Sequence, residues 1–428
     1  NNGIFQSGYT ANSSQNVAAW NQIRFRANPF QQWLPSEVGI STSKGGLNLI
    51  SEEFRMPQLF RTSLAIDKKF NNGWNMTLEG LYSQNISEIY YTNINIRQPQ
   101  GVSTGAGART VYPVPVTLPI VGTSNPYDNA ILLTNNSGPK GFAYNLAATV
   151  SKRTRDGFFF EANYSFGNSV VVNEATSSVN LSQWRFMETV NGRNTIGRSN
   201  SDFSQGHRIF AIASKKFTYA NKALATTITL TYQGQSGNPF SYVYAQNSMT
   251  RDDGPAGGND LIYIPTAGDL QQLLAGGQIL STTVAGVTYT GAQQVAALNS
   301  YIAKDNYLNN NRGKFAERNA SRLPFTNILN LKVAQDFNIK MGKQRYQFQL
   351  TYEVANFTNM LNRNWGRTYF MSNDQFGLIQ FRGYQTGTLN PTYSFNPTIV
   401  NPWNNSTSVV PEFSNRWISQ LGIRFNFN

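Results

Sequence analysis

Cysteine is absent from the whole chain of 428 residues, and histidine occurs once, at His207. Disulfide staples and thiolate metal sites are therefore excluded, and no histidine cluster is available to hold a transition metal. Charge is scarce as well. Asp, Glu, Lys and Arg make up 13% of the sequence, against about 25% in ordinary globular domains. The balance is basic, with 35 Lys and Arg to 22 Asp and Glu and a net charge of +13. Yet the basic residues are scattered and no long basic run occurs, so no nucleic-acid platform is expected. No apolar stretch reaches the roughly 18 residues that a bilayer-crossing helix needs. The opening NNGIFQSGYTANSSQN carries neither the charged start nor the apolar run of a secretion signal. An exported chain would thus begin upstream of residue 1.

What is plentiful is aromatic residues, 28 Phe and 21 Tyr, arranged with period two. Phe60, Leu64, Ile66 and Phe70 share one side of an alternation whose other side carries Arg61, Asp67 and Lys69. A Gly-containing turn at 71–73 leads into Trp74, Met76, Leu78, Gly80 and Tyr82, the pattern of a β-hairpin. The unit recurs at 142–150 with 158–166, at 209–217 with 224–232, and at 329–337 with 346–354, the last turn falling on Lys340 to Lys343. A ninth strand ends the chain. In it Trp417, Leu421, Ile423, Phe425 and Phe427 face one way, while Gln420, Arg424 and Asn426 face the other.

The connections alternate in length without exception. Within hairpins they take a few residues; between hairpins the chain runs through about 97–141, 173–206, 243–325 and 359–415. Short turns at one end and long loops at the other are the signature of an outer-membrane barrel. Aromatic residues band both ends of the apolar face, with Leu, Ile, Val and Ala between them, as two interfacial girdles require. Charges fall on the opposite face: Asp67, Glu79, Glu161, Arg208, Lys216, Lys332, Asp336, Arg345, Glu353 and Arg424. Lys68, Lys152 and Lys215 break the rule, each near a short turn where an ammonium reaches the interface. The expected fold is all-β, a transmembrane antiparallel up-and-down barrel with long extracellular loops. A soluble sandwich accounts for the alternation but not for the girdles or the loop asymmetry.

Nine or ten strands are too few for a ring with such loops, and nine has the wrong parity for bacterial closure. The expectation is that residues 59–428 form the C-terminal portion of a larger barrel, with residues 1–58 an extracellular loop region leading into it. The partners of the first and last strands then lie in sequence outside this chain.

Several separated stretches resemble the TonB-dependent receptors of Bacteroidota, most closely the Oar-like branch related to SusC-type transporters. They are FRTSLAIDKKFNNGWNMTLEGLYS (60–83), SDFSQGHRIFAIASKKF (201–217), TITLTYQGQSGNPFSYVY (227–244), GGNDLIYIP (257–265) and RGKFAERNASRLPFTNILNLKVAQDF (312–337). The resemblance implies a barrel of about 22 strands around an N-terminal plug, energised through TonB. The plug and the TonB-contacting segment are not among these residues. It also implies that Trp417, Leu421, Ile423, Phe425 and Phe427 carry the barrel-assembly signal, with Asn428 one residue beyond the usual aromatic ending.

Residues with chemistry are few. His207, at the outer end of a strand, has no visible dyad or zinc partners and reads as a loop-edge residue. Asp252, Asp253 and Asp260 place oxygen donors in one loop, 251–260, a candidate Ca²⁺ site whose spacing departs from the twelve-residue calcium loop. The glycine-rich pieces at 101–107 and 254–258 do not stand between a strand and a helix, so phosphate cradling is not expected. Gln293 to Lys304 reads as a short helix with Val295, Leu298 and Ile302 on one face. Arg363, Trp365, Arg367 and Tyr369 are suited to contact lipopolysaccharide, a surface lipoprotein or substrate.

No nucleophile–base pair or dense carboxylate pair is present, so an enzyme is not expected, and no cofactor is implied. The leading functional expectation is active transport of a nutrient (peptide, oligosaccharide or metal chelate) past Glu79, Glu161, Arg208, Lys332, Arg345, Glu353 and Arg424. The alternative is a structural or docking barrel whose loops hold surface proteins or lipoproteins.

Overall fold

The computed structural model describes residues 5–6, 28, 31, 45–118, 127–255, 258–341, 344–402 and 415–427. Nine long strands run in chain order across one antiparallel sheet. They are β1 (Gln58–Lys69), β2 (Trp74–Ser87), β3 (Phe142–Arg153), β4 (Phe158–Val171), β5 (Gly206–Tyr219), β6 (Leu224–Gln235), β7 (Thr326–Met341), β8 (Gln344–Ala355) and β9 (Ile418–Phe427). A short strand, Ser199–Asn200, adds to the end of β4. This is the expected meander, with every neighbour antiparallel and every hairpin where the alternation put it. β7 and β8 run further than expected: Lys340 and Met341 continue β7 and pair with Arg345 and Gln344. Among the described residues, β1 and β9 remain the open edges of the sheet.

The short turns form for local reasons. Gly73 and Gly157 adopt φ of +85° and +84°, a region that costs glycine nothing. A side chain at Gly157 would also meet the Lys216 carbonyl at 2.8 Å. The third turn manages without glycine, holding Ala220, Asn221 and Lys222 all at positive φ. Phe70 N–H to the Trp74 carbonyl at 2.8 Å and Thr154 N–H to the Phe158 carbonyl at 2.9 Å close the ladder at the first two turns.

Register aligns the apolar residues into rows across the strands. Ile66, Leu78, Ala148, Tyr164 and Ile209 stand side by side on β1 to β5, and Ala213, Leu230, Leu331 and Val354 on β5 to β8. Much of this face is bare of protein, although Val354 at the long-loop end of β8 is covered. Leu64 is 72% exposed, Leu146 55% and Ile423 68%. An uncovered apolar face of this extent is incompatible with water and calls for hydrocarbon.

The dry core of the chain lies instead in the long loops. Phe240, Tyr242, Ile262, Ile264, Leu270, Leu298, Ile302, Phe381 and Tyr393 are buried together there. Strand Pro239–Gln246 pairs in parallel with Gln375–Tyr384, joining the third and fourth long loops into one unit. Helices α1 (Ala267–Ala275) and α2 (Gly291–Lys304) pack on it, each opened by a capping box, from Thr266 with Asp269 and from Thr290 with Gln293. The expected helix is thus α2, with Val295, Leu298 and Ile302 buried. A second sheet joins Gly45–Ile50, which precedes β1, to Tyr127–Asn135 and Ile89–Asn93 from the connection between β2 and β3. Most of residues 1–44 lie outside the described residues.

Opposite behaviour is expected for adjacent β6 residues. Leu230→Arg should lower stability in lipid vesicles by about 2–4 kcal/mol, measured by urea unfolding. Thr231→Arg, on the other face, should change it little.

Candidate functional site

The polar face begins with the same register. One row across β1 to β7 reads Ala65, Glu79, Ala147, Ser165, Arg208, Gln235 and Thr326. A second places Ser214, Thr229, Lys332, Glu353 and Gln420 side by side, and Lys332 forms an ion pair with Glu353. A third sets Asp336 beside Gln349 and Gln349 beside Arg424. Gln349 Nε2 donates to Asp336 at 2.6 Å, and Lys216 reaches the same carboxylate at 3.3 Å. Among the expected site residues, the structure therefore joins Lys332 to Glu353. Glu79, Glu161, Arg208 and Arg424 share the face without an ion pair among the described residues. The Arg345 side chain lies outside the described residues, as does that of Phe427; Trp417, Leu421, Ile423 and Phe425 are exposed at the open edge.

Above the long-loop ends of β4 to β6 the polar face opens into two adjoining cavities. The lower, about 560 Å³, has Arg208 and Gln235 among its walls. The upper, about 370 Å³, is lined by Glu174, Glu188, Asp202, Arg318, Asp374 and Gln375 among others. Asp202, Thr176 and Asp374 belong to both. Three long loops supply these groups, which no local motif connects.

Arg318 is the hinge of this arrangement. Its two terminal nitrogens donate to the carbonyls of Val171 and Val172, 2.8 and 2.9 Å away. The loop is thereby stapled to the end of β4. Glu174 accepts the Asp202 N–H at 2.8 Å and the Ser201 hydroxyl at 3.0 Å. Glu188 accepts from Gln375 at 2.9 Å. Burial pushes the Glu188 carboxyl up to about 7, offset in part by Arg318. Asp374 is raised by burial to about 6. Two of the pocket's carboxyls, Glu188 and Asp374, thus titrate close to neutral pH, beside the Arg318 guanidinium.

The three loop aspartates are engaged by the protein itself. Buried Asp252 forms an ion pair with Arg193 and accepts its backbone N–H at 2.6 Å. Asp253 pairs with Arg185, and Asp260 accepts from Ser248, the Met249 N–H and Thr250 at 2.7–2.9 Å. Among the described residues no three acidic or histidine side chains converge in a metal-binding arrangement. His207 faces the aromatic end of the apolar surface, stacked 4.7 Å from Phe166, with Tyr164 Oη 2.8 Å from Nδ1. Trp365, Arg367 and Tyr369 line a groove of about 330 Å³ beside Pro324 and Phe325.

The geometry is a two-faced antiparallel wall, bare and apolar on one side, polar and continuous with a loop pocket on the other. A family model described as "Outer membrane beta barrel domain" matches residues 1–401. The chain belongs to this outer-membrane β-barrel family. No curated protein and no solved structure matches it. No helix among the described residues is long and apolar enough to cross a membrane, and this outer-membrane protein crosses with strands. For an outer-membrane β-barrel the bare rows face lipid, and the polar rows face the lumen.

The lumen-face residues were readable from period two. Glu174, Glu188, Arg318 and Asp374 were not, because they sit in irregular loops and meet only through tertiary contacts. RGKFAERNASRLPF at 312–325 was the one local signal, and it contains Arg318.

A pH dependence follows from Glu188. Its folded pKa is raised, so between about 4.5 and 7 the folded protein holds more protons than the unfolded chain. The stability of the loop unit therefore falls as pH rises through this window. Glu188→Gln should remove this decline, stabilising the loops at pH 8 by on the order of 2 kcal/mol and little at pH 4. Hydrogen exchange of the loop amides across pH measures it.

Proposed function

We propose that this outer-membrane barrel chain is part of a TonB-dependent active transporter for a nutrient: a peptide, an oligosaccharide or a metal chelate. The observation that carries the reading is the continuity between the mixed-charge lumen face and the polar cavities beneath the loops. Arg208 belongs to both: it stands within the row that begins on β1, and it lines the lower cavity. A substrate held by the loops would pass directly onto that face. The likeness to Oar-like and SusC-related receptors of Bacteroidota supports the energised mode, with TonB engaged through a plug outside this chain.

In this proposal the strands work as a wall and not as an enzyme. Outer-membrane lipid contacts the apolar rows. The groove at Trp365, Arg367 and Tyr369 offers aromatic and cationic groups to lipopolysaccharide or a surface lipoprotein.

The test uses cells making the full-length protein and labelled peptide, oligosaccharide and ferric-chelate mixtures. Deleting the TonB-contacting segment, or collapsing the proton-motive force, should cut uptake of one class by at least tenfold, while surface amounts stay constant. Arg208→Glu should reduce uptake of the same class several-fold. Uptake unchanged by all three treatments would instead assign the barrel a docking role.

A further inference from the structure

The first long loop sends a small hairpin, Gly101–Val102 with Thr110–Val111, into the loop unit. It is seated closely. Tyr112 donates its N–H to the Thr250 carbonyl at 2.8 Å, Thr104 to Leu389 at 3.1 Å, and Thr110 to Asn191 Oδ1 at 3.1 Å. A side chain at Gly107 would strike the Tyr263 side chain at 2.5 Å. This docking carries Arg109 into the interior, where it is 1% exposed.

The guanidinium carbon lies 5.0 Å from the ring centre of Tyr244 and 5.1 Å from that of Phe315. These π-faces attract its charge but accept none of its in-plane N–H donors. Nε, Nη1 and Nη2 are all buried, and none has a hydrogen-bond partner among the described residues. A second guanidinium lies in the same unit: Arg251 sits 4.6 Å over Tyr384, with its own Nε buried and unpartnered. The nearby carboxylates are committed elsewhere, Asp252 to Arg193 and Asp260 to Ser248, Met249 and Thr250. Neither Arg109 nor Arg251 joins an ion pair among the described residues.

A buried cation with idle donors attracts an anion, and at 1% exposure the site admits only a small one. A side chain of another protein, or the end of a peptide, cannot reach Arg109 without undocking the hairpin. We infer that Arg109 binds a small inorganic anion of about chloride size, locking the 101–111 hairpin onto the loop unit. The site is separate from the carboxylate-lined cavities and stands independently of the transport proposal.

The experiment compares thermal unfolding of the detergent-purified protein in chloride and in gluconate at equal ionic strength. Chloride should raise the midpoint saturably by several degrees, and Arg109→Met should abolish the difference. Crystals of the unaltered protein grown in bromide should show an anomalous peak within hydrogen-bonding reach of Arg109, a readout that survives if the variant fails to fold. An equal chloride effect in Arg109→Met, no chloride effect in the unaltered protein, or a bromide map without that peak would each overturn the inference.

Discussion

Register in the antiparallel sheet is the constraint on which the rest of this barrel depends. Side chains alternate across a strand, so a slip of one residue exchanges the two faces completely. In water such an error exposes some apolar surface. Here it would carry Lys332, Glu353 and Asp336 into hydrocarbon and turn Leu331 and Tyr352 into the lumen. The penalty for a lysine or arginine at mid-membrane is about 2–4 kcal/mol, somewhat less for a carboxylate. A slip of β7 alone would incur it for both Lys332 and Asp336. The continuous ladders from β1 to β9 are the structural result.

The exceptions obey the same rule. Lys215 lies on the apolar face yet reaches the Asp156 carboxylate in the neighbouring short turn, 2.6 Å away. That contact holds the exposed Asp156 carboxyl down to about 2. Lys152 lays its ammonium 5.1 Å from the ring centre of Trp74. Both sit where a long side chain can leave the apolar band, and their stems remain on it. His207 is likewise an interfacial group, absorbed by Tyr164 and Phe166.

A sheet with lipid on one side and a lumen on the other has no dry protein centre of its own. The chain places that centre in its loops, where Ile262, Leu308 and Phe381 are almost completely buried. A packed loop unit is able to hold polar groups at defined positions above the lumen, which a mobile loop is not. Arg318 shows the coupling. By binding the carbonyls of Val171 and Val172 it continues the order of β4 into the cavity wall. The raised carboxyls of Glu188 and Asp374 are a consequence of that packing, since desolvation is their leading cause.

The sequence by itself determined the strands, their faces and the alternation of short and long connections. Each of these is a local property, with period two repeated over about ten residues against a surrounding of uniform polarity. Even α2 was legible, because Val295, Leu298 and Ile302 keep helical spacing. Tertiary structure alone decided the loop unit: the parallel pairing of Pro239–Gln246 with Gln375–Tyr384, the partners of Asp252 and Asp260, and the burial of Arg109. The strand pairing and the Arg109 contacts join residues more than a hundred positions apart, and Asp252 meets Arg193 from another loop. Such meetings depend on shape and on competing partners, and no periodicity in the chain encodes either.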